Sequence, residues 1–197
     1  MKKQIVTIAR QCGSGGHKIG ELIAERLGIP LYDKNLVDMV AQRSGYSKET
    51  IEREGEYSTT SLLYNIVTGG LRPYQSEMRV PDQINAFQTQ LIKELADKGP
   101  CVIVGRCADY ILQDRGDCLH LFVHGSPEDR IERVIQDGRS DAAHARAFIQ
   151  DHDKKRARYY KHITDQVWGA SEHYHLCMDS SRLGIERCVD LILASLE

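Results

Sequence analysis

Short unbroken runs of apolar residues punctuate a chain otherwise patterned for helices: Gln4 to Ala9, Cys101 to Val104, Cys118 to Val123 and His175 to Met178, with a shorter fifth at Pro30 to Asp33. Apolar runs without strict alternation suit strands buried on both faces, so these segments predict a parallel sheet. Helical patterns lie between them. Ile19 to Leu27 is amphipathic and stops at Gly28 with Pro30 beyond, the usual punctuation of a helix C-terminus. Ser126-Pro127-Glu128-Asp129 opens another helix with a capping serine, proline at its first position and acids in its first turn. A last helix runs from Gly184 to Leu196 on Ile185, Val189, Leu191 and Ile192. Strand alternating with helix predicts an α/β fold, a parallel sheet of about five strands covered by helices on both faces.

Two stretches depart from the alternation. Residues 34–98 carry helical patterns and loop, interrupted by Gly69-Gly70 and Pro73, and are expected to form a helical insertion over one end of the sheet. Within it, the segment from Ser58 to Val80, with Leu62, Leu63, Ile66 and Val67, has two readings: packing on its own domain, or on a second copy of the chain in a homo-oligomer. Residues 139–171 are polar, basic through Lys154-Lys155-Arg156-Ala157-Arg158, then aromatic at Tyr159, Tyr160 and Trp168, and read as a mobile cover.

Composition narrows the partners. Of the 197 residues, 41% are apolar, enough for one domain spanning residues 1–197. The 26 Lys and Arg against 28 Asp and Glu give a net charge of −2, so no molecule-wide field draws the chain to nucleic acid or anionic lipid, and any basic site is local. No apolar stretch approaches the roughly 20 residues that span a bilayer, and the expectation is a cytoplasmic protein. Six cysteines, at 12, 101, 107, 118, 177 and 188, lack both Cys-x-x-Cys spacing and the density of a disulfide scaffold, and read as reduced thiols.

The most informative segment is Ile5-Val6-Thr7-Ile8-Ala9-Arg10-Gln11-Cys12-Gly13-Ser14-Gly15-Gly16-His17-Lys18-Ile19-Gly20, a strand, a glycine turn and a helix. Successive glycines let backbone N–H groups converge, and the helix start adds free donors and the positive end of its dipole, so the turn suits a phosphate. Arg10, His17 and Lys18 add charge beside it. The plain alternative is a tight turn whose glycines only permit positive φ. The turn matches neither standard nucleotide pattern. A Walker A loop ends Gly-Lys-Ser/Thr, whereas Gly15 is followed by Gly16, His17 and Lys18; the dinucleotide fingerprint needs a third glycine where Lys18 stands, although Asp33 lies at the right distance for a ribose.

Four segments together resemble the cytidylate kinase-like family, a branch of the P-loop nucleoside monophosphate kinases, over nearly the whole chain. The glycine turn from Arg10 to Gly20 is similar to that family's variant phosphate loop, with Ile23 to Gly28 and Tyr32-Asp33 following it. Val102-Ile103-Val104-Gly105-Arg106 resembles the strand from which cytidylate kinases direct an arginine at the monophosphate. Asp153 to Tyr160 resembles an arginine-bearing lid, and Tyr174 to Glu186 the closing strand and helix. The resemblance implies a three-layer P-loop kinase fold, with residues 34–98 binding an acceptor and residues 139–171 closing over it. It further implies ATP and Mg²⁺ as donor and metal, and a small phosphorylated acceptor such as cytidylate.

Phosphoryl transfer needs negative oxygens neutralised, substrates aligned and water excluded. On this reading Arg10, Gly13, Ser14, Gly15, Gly16, His17 and Lys18 hold the donor, Asp33 and Arg106 the acceptor, and Lys18, Arg106, Lys154, Arg156 and Arg158 are the catalytic cations. Ser14 is the nearest hydroxyl to a magnesium-bound water. A nucleotide sensor without phosphoryl transfer is the alternative, motivated by the missing loop lysine, and a dinucleotide oxidoreductase is a third.

Plain readings stand beside several residues. Arg106 can serve a structural ion pair, Asp33 can cap the helix that starts near Lys34, and Asp109 reads as a capping or helix-surface acid. Lys154 to Lys161 can be a solvated helix face, and Tyr159 and Tyr160 are expected to pack the cover against the domain. His173, His175 and Cys177 alternate on one face of an extended stretch, the pattern of zinc ligands, but without a fourth partner they read as ordinary strand residues.

Overall fold

A computed structural model describes residues 5–54 and 80–196. Strand β1, Ile5–Arg10, runs through the glycine turn into helix α1, Gly16–Leu27. After β2, Leu31–Tyr32, the described residues of the insertion form α2 at Asn35–Ser44, α3 at Lys48–Glu54 and α4 at Val80–Asp97. The chain continues through β3, Cys101–Val104, the short α5, Ala108–Ile111, and β4, Cys118–His124. Helices α6, Pro127–Gln136, and α7, Ala145–Thr164, precede a single 3₁₀ turn at Ser171–His173. Strand β5, Leu176–Asp179, and helices α8, Ser180–Leu183, and α9, Ile185–Ala194, close the chain. Leu62, Leu63, Ile66 and Val67 lie outside the described residues.

Among the described residues the sheet has five strands in the order β2-β3-β1-β4-β5, every neighbouring pair parallel. Strand β1 is central because both its faces are apolar. Val6 and Ile8 meet α1 and α9 through Ile19, Ile23, Val189 and Ile192, while Ile5 belongs to the opposite core with Leu36, Ile84, Leu91 and Leu112. Ile19 and Ile23, one helical turn apart and fully buried, each contribute about 1.5–3 kcal/mol by leaving water. Among the described residues no helix is long and apolar enough to cross a membrane.

The punctuation follows the sequence closely. Gly28 ends α1 in the left-handed conformation, and Ser126 Oγ accepts the Asp129 N–H at 3.2 Å with Pro127 first in α6. Helix α1 begins three residues before the expected Ile19, because Gly15 (φ 79°) takes the left-handed cap position that a side chain would resist.

Residues 139–171 are built around one long helix. Their centre is the 20-residue helix α7, docked through Ile149, Tyr159, Tyr160 and Thr164. The tyrosines do pack, and each also spends its hydroxyl: Tyr159 donates to Asn85 and Tyr160 to Asp109, at 3.1 and 2.7 Å. Asp109 is therefore buried rather than on a helix surface. His175 stacks on His120 at 5.0 Å, and its Nδ1 accepts the His120 N–H, while Cys177 is exposed; these residues form no metal cluster. All six cysteines are free thiols.

Candidate functional site

Ligands of an open parallel sheet gather beyond the carboxyl ends of its strands, and here β1 and β3 deliver their polar residues to that end side by side. Arg10 closes β1; Gly105 and Arg106 follow β3, with Gly105 N–H bonded to Ile8 O at 2.9 Å. The Arg10 side chain crosses between the glycines: a Cβ on Gly105 would fall 2.1 Å from its Nη1, and the left-handed backbone at Gly105 (φ 78°) itself favours glycine. Arg106 (φ 58°) and Cys107 (φ 53°) then continue in the left-handed region, a conformation costing about 1–3 kcal/mol for each non-glycine residue. Gln88 Nε2 donates to Arg106 O at 3.3 Å and helps hold this turn. Arg106 itself is buried.

The glycine turn lies across from this element. Gly13 (φ 76°) sits so close to α6 that a Cβ would come within 2.4 Å of Arg130 O. The first turn of α1 carries no acid, leaving its positive dipole end and free N–H groups uncompensated by side chains.

Between these elements is a cavity of about 750 Å³. It brings together Arg10, Gly13, Gly15, Gly16, His17, Lys18, Asp33, Arg106 and Arg156 from three distant parts of the sequence. Its described lining holds seven Arg and Lys side chains against four carboxylates, so a chain of net charge −2 has concentrated its positive field in one hollow.

Three expected residues stand elsewhere. Ser14 is fully buried and its Oγ donates to Gln11 O at 2.9 Å, so its hydroxyl does not line the cavity. Lys154 and Arg158 are exposed, while Arg156 is buried and donates to Arg10 O at 3.1 Å. Helical geometry separates them: positions four apart share a face, and position 156 falls on the opposite one.

Asp33 does not cap α2. One carboxylate oxygen meets His17 Nδ1 at 2.6 Å and the other Arg10 Nη2 at 3.4 Å, so the acid that a ribose would need is engaged by two cations of the cavity wall. The hydrogen bond that His17 donates to Asp33 holds the His17 pKa above its ordinary value, opposed by partial burial and reinforced by Glu21, whose Oε1 lies 3.1 Å from Nε2. Lys18 is exposed and pairs with Glu21 at 3.2 Å.

Several residues that shape the site escaped the sequence reading. Arg133 and Arg139 line the cavity, with Ile185 from the start of α9. Arg130, buried on α6, pairs with Asp153 of α7, whose other oxygen accepts the Cys12 N–H at 2.7 Å. The pattern Arg130-Ile131-Glu132-Arg133 looks like the polar side of an amphipathic helix. Only its place one turn after a capped start, facing the loop, distinguishes it. Cys12, in the middle of this network, is a buried thiol whose pKa is raised by burial against the pull of Arg139.

A parallel sheet with β1 at its centre, a glycine turn leading from it into α1 and a cationic hollow above them define a P-loop kinase fold. Among solved structures, shikimate kinase from Bacteroides thetaiotaomicron superposes with a TM-score of 0.55 at 15% identity, over 98% of this chain and 97% of that one. Residues 5–182 match the cytidylate kinase-like family, and the chain belongs to it. It is 23% identical to a cytidylate kinase of Archaeoglobus fulgidus, over 98% of this chain and 94% of that protein. It also resembles the crystal structure of an uncharacterized protein from Eubacterium ventriosum, with a TM-score of 0.74, 26% identity and 98% of both chains covered.

Proposed function

We propose that the protein is an ATP-dependent phosphotransferase of the nucleoside monophosphate kinase type, acting on cytidylate or a related small phosphorylated acceptor. The observation that carries this reading is that the loop glycines, Arg106 and Arg156 border one cavity at the carboxyl end of the sheet. Main-chain amides at the start of α1 hold the donor's terminal phosphates, with Lys18 at the rim. Arg106 meets the acceptor phosphate, and Arg156 lies over the transfer path. The acceptor's phosphate oxygen attacks the γ-phosphorus, the bond to the β-phosphate oxygen breaks, and ADP leaves with its charge balanced by these cations. Asp33 acts through the residues it touches, fixing Arg10 and the His17 ring in place.

Magnesium in this reading travels with the nucleotide's own oxygens. Ser14 is turned onto the Gln11 carbonyl, and the described residues contain no group of three or more His, Cys, Asp or Glu arranged around a metal. A magnesium ion keeps several of its waters and takes most of its other oxygens from the nucleotide's phosphates, so no larger set of protein ligands is called for.

The missing loop lysine favours a second reading, a nucleotide-binding sensor without transfer. A coupled assay of ADP formation across a panel of nucleoside monophosphates separates the two. Acceptor-dependent turnover supports the kinase; ATP binding without turnover on any acceptor supports the sensor.

A further inference from the structure

The carbonyl oxygens of the phosphate turn are captured one after another by side chains. Arg156 Nη1 donates to Arg10 O at 3.1 Å, Ser14 Oγ to Gln11 O at 2.9 Å and Arg130 Nε to Cys12 O at 2.7 Å. Arg133 Nη1 donates to Gly13 O at 3.2 Å, and Ser180 Oγ to Ser14 O at 2.7 Å. Five consecutive carbonyls thus have side-chain donors, four of them supplied by α6, α7 and α8.

A trans peptide is planar, with its N–H opposed to its C=O, so fixing one carbonyl fixes the direction of the next residue's amide. Arg130, holding Cys12 O, turns the Gly13 N–H away from α6. Ser180, holding Ser14 O, sets the Gly15 N–H in the same way. Both glycines line the cavity, whereas Arg130 and Ser180 are buried behind the turn and do not. Asp153 secures the arrangement by taking the Cys12 N–H and pairing with Arg130, so both main-chain polar groups of Cys12 are tied to one ion pair.

We propose that Arg130 and Ser180 are positioning residues for the donor's phosphates. They hold the turn's amides in their phosphate-binding orientation before any ligand arrives, and this preorganisation stands in for the ammonium group that the turn lacks. Dipoles already oriented need no reorganisation when the anion enters, which makes fixed amides effective anion ligands. The inference rests on the reading of the cavity as the donor site and adds to it the part that sets its affinity.

Calorimetric titration of ATP and of inorganic tripolyphosphate into wild type, Ser180→Ala, Ser180→Thr and Arg130→Lys tests it, alongside KM for each substrate and the melting temperature of the free proteins. Ser180→Ala and Arg130→Lys are expected to weaken both polyphosphates by about tenfold or more, raising KM for ATP while leaving KM for the acceptor within about twofold. Ser180→Thr, which keeps the hydroxyl, is expected to stay close to wild type. Wild-type affinity for ATP in Ser180→Ala or Arg130→Lys, or equal losses toward both substrates, would overturn the proposal. A wild-type protein that binds neither polyphosphate overturns the donor-site reading itself, and the positioning role with it.

Discussion

The carboxylate of Asp33 lies 2.6 Å from Nδ1 of His17, joining the residue after β2 to the first turn of α1. Its other oxygen faces Arg10, so a single acid sets two cations of the phosphate cavity.

This pairing makes the cavity sensitive to pH in a definite direction. Asp33 raises the His17 pKa above the ordinary value of about 6.5, with Glu21 adding to it and Lys34 and partial burial opposing. A raised folded-state pKa means that the pair's contribution to stability is complete below about pH 6.5 and is lost as pH rises through the folded value. Following the His17 ring by NMR is expected to show it titrating above 6.5 in wild type and near or below 6.5 in Asp33→Asn. An unchanged titration would mean that the contact is not formed in solution.

Arg106 is expected to report on the acceptor and not on the donor. Arg106→Lys keeps the charge but loses the planar fork, and should raise KM for the acceptor about tenfold or more while ATP affinity stays within about twofold. A loss confined to ATP would place Arg106 at the donor instead, and equal losses toward both substrates would contradict an acceptor-specific role.

The basic run of α7 is expected to divide by face. Arg156→Ala should lower turnover by about a hundredfold, equivalent to about 2.7 kcal/mol of transition-state stabilisation, whereas Lys154→Ala and Arg158→Ala should each change it by less than about threefold. Steady-state kinetics of the three variants decides this, and a large loss in either exposed variant would show that the helix turns over during catalysis.

Asp109 and Tyr160 give a test of the fold apart from the chemistry. Burial raises the Asp109 pKa, so its charged form penalises the native state; the penalty is absent below the ordinary carboxylate range near pH 3.9 and grows until pH passes the raised value. Asp109→Asn, which still accepts from the Tyr160 hydroxyl, is therefore expected to be at least as stable as wild type at pH 7. Tyr160→Phe leaves the buried acceptor without that donor and should cost about 1–3 kcal/mol in denaturant unfolding.

The strands, the capped α6 and the ends of α1 were legible because local signals decide them: unbroken apolar runs, Ser126-Pro127, and Gly28 before Pro30. The glycine turn and Arg106 could be read as parts of a phosphate site from their place after strands. Asp109 could not, because nothing local distinguishes a buried acid from a capping one; only the approach of Tyr160 from α7 does so. Lys154, Arg156 and Arg158 look alike in sequence, and the helix that separates their faces has a weakly apolar pattern. Arg130 and Ser180 escaped notice for a related reason. Their partners are backbone carbonyls more than a hundred residues away, and a carbonyl leaves no mark in the sequence.

Phosphoryl transfer itself is read by ³¹P NMR of the 197-residue chain with ATP, Mg²⁺ and cytidine monophosphate, following every phosphorus through the reaction. ADP and cytidine diphosphate are expected to appear together in equal amounts, with no release of inorganic phosphate. ATP left intact with cytidine monophosphate and with every other nucleoside monophosphate, or ADP accompanied only by inorganic phosphate, would contradict it.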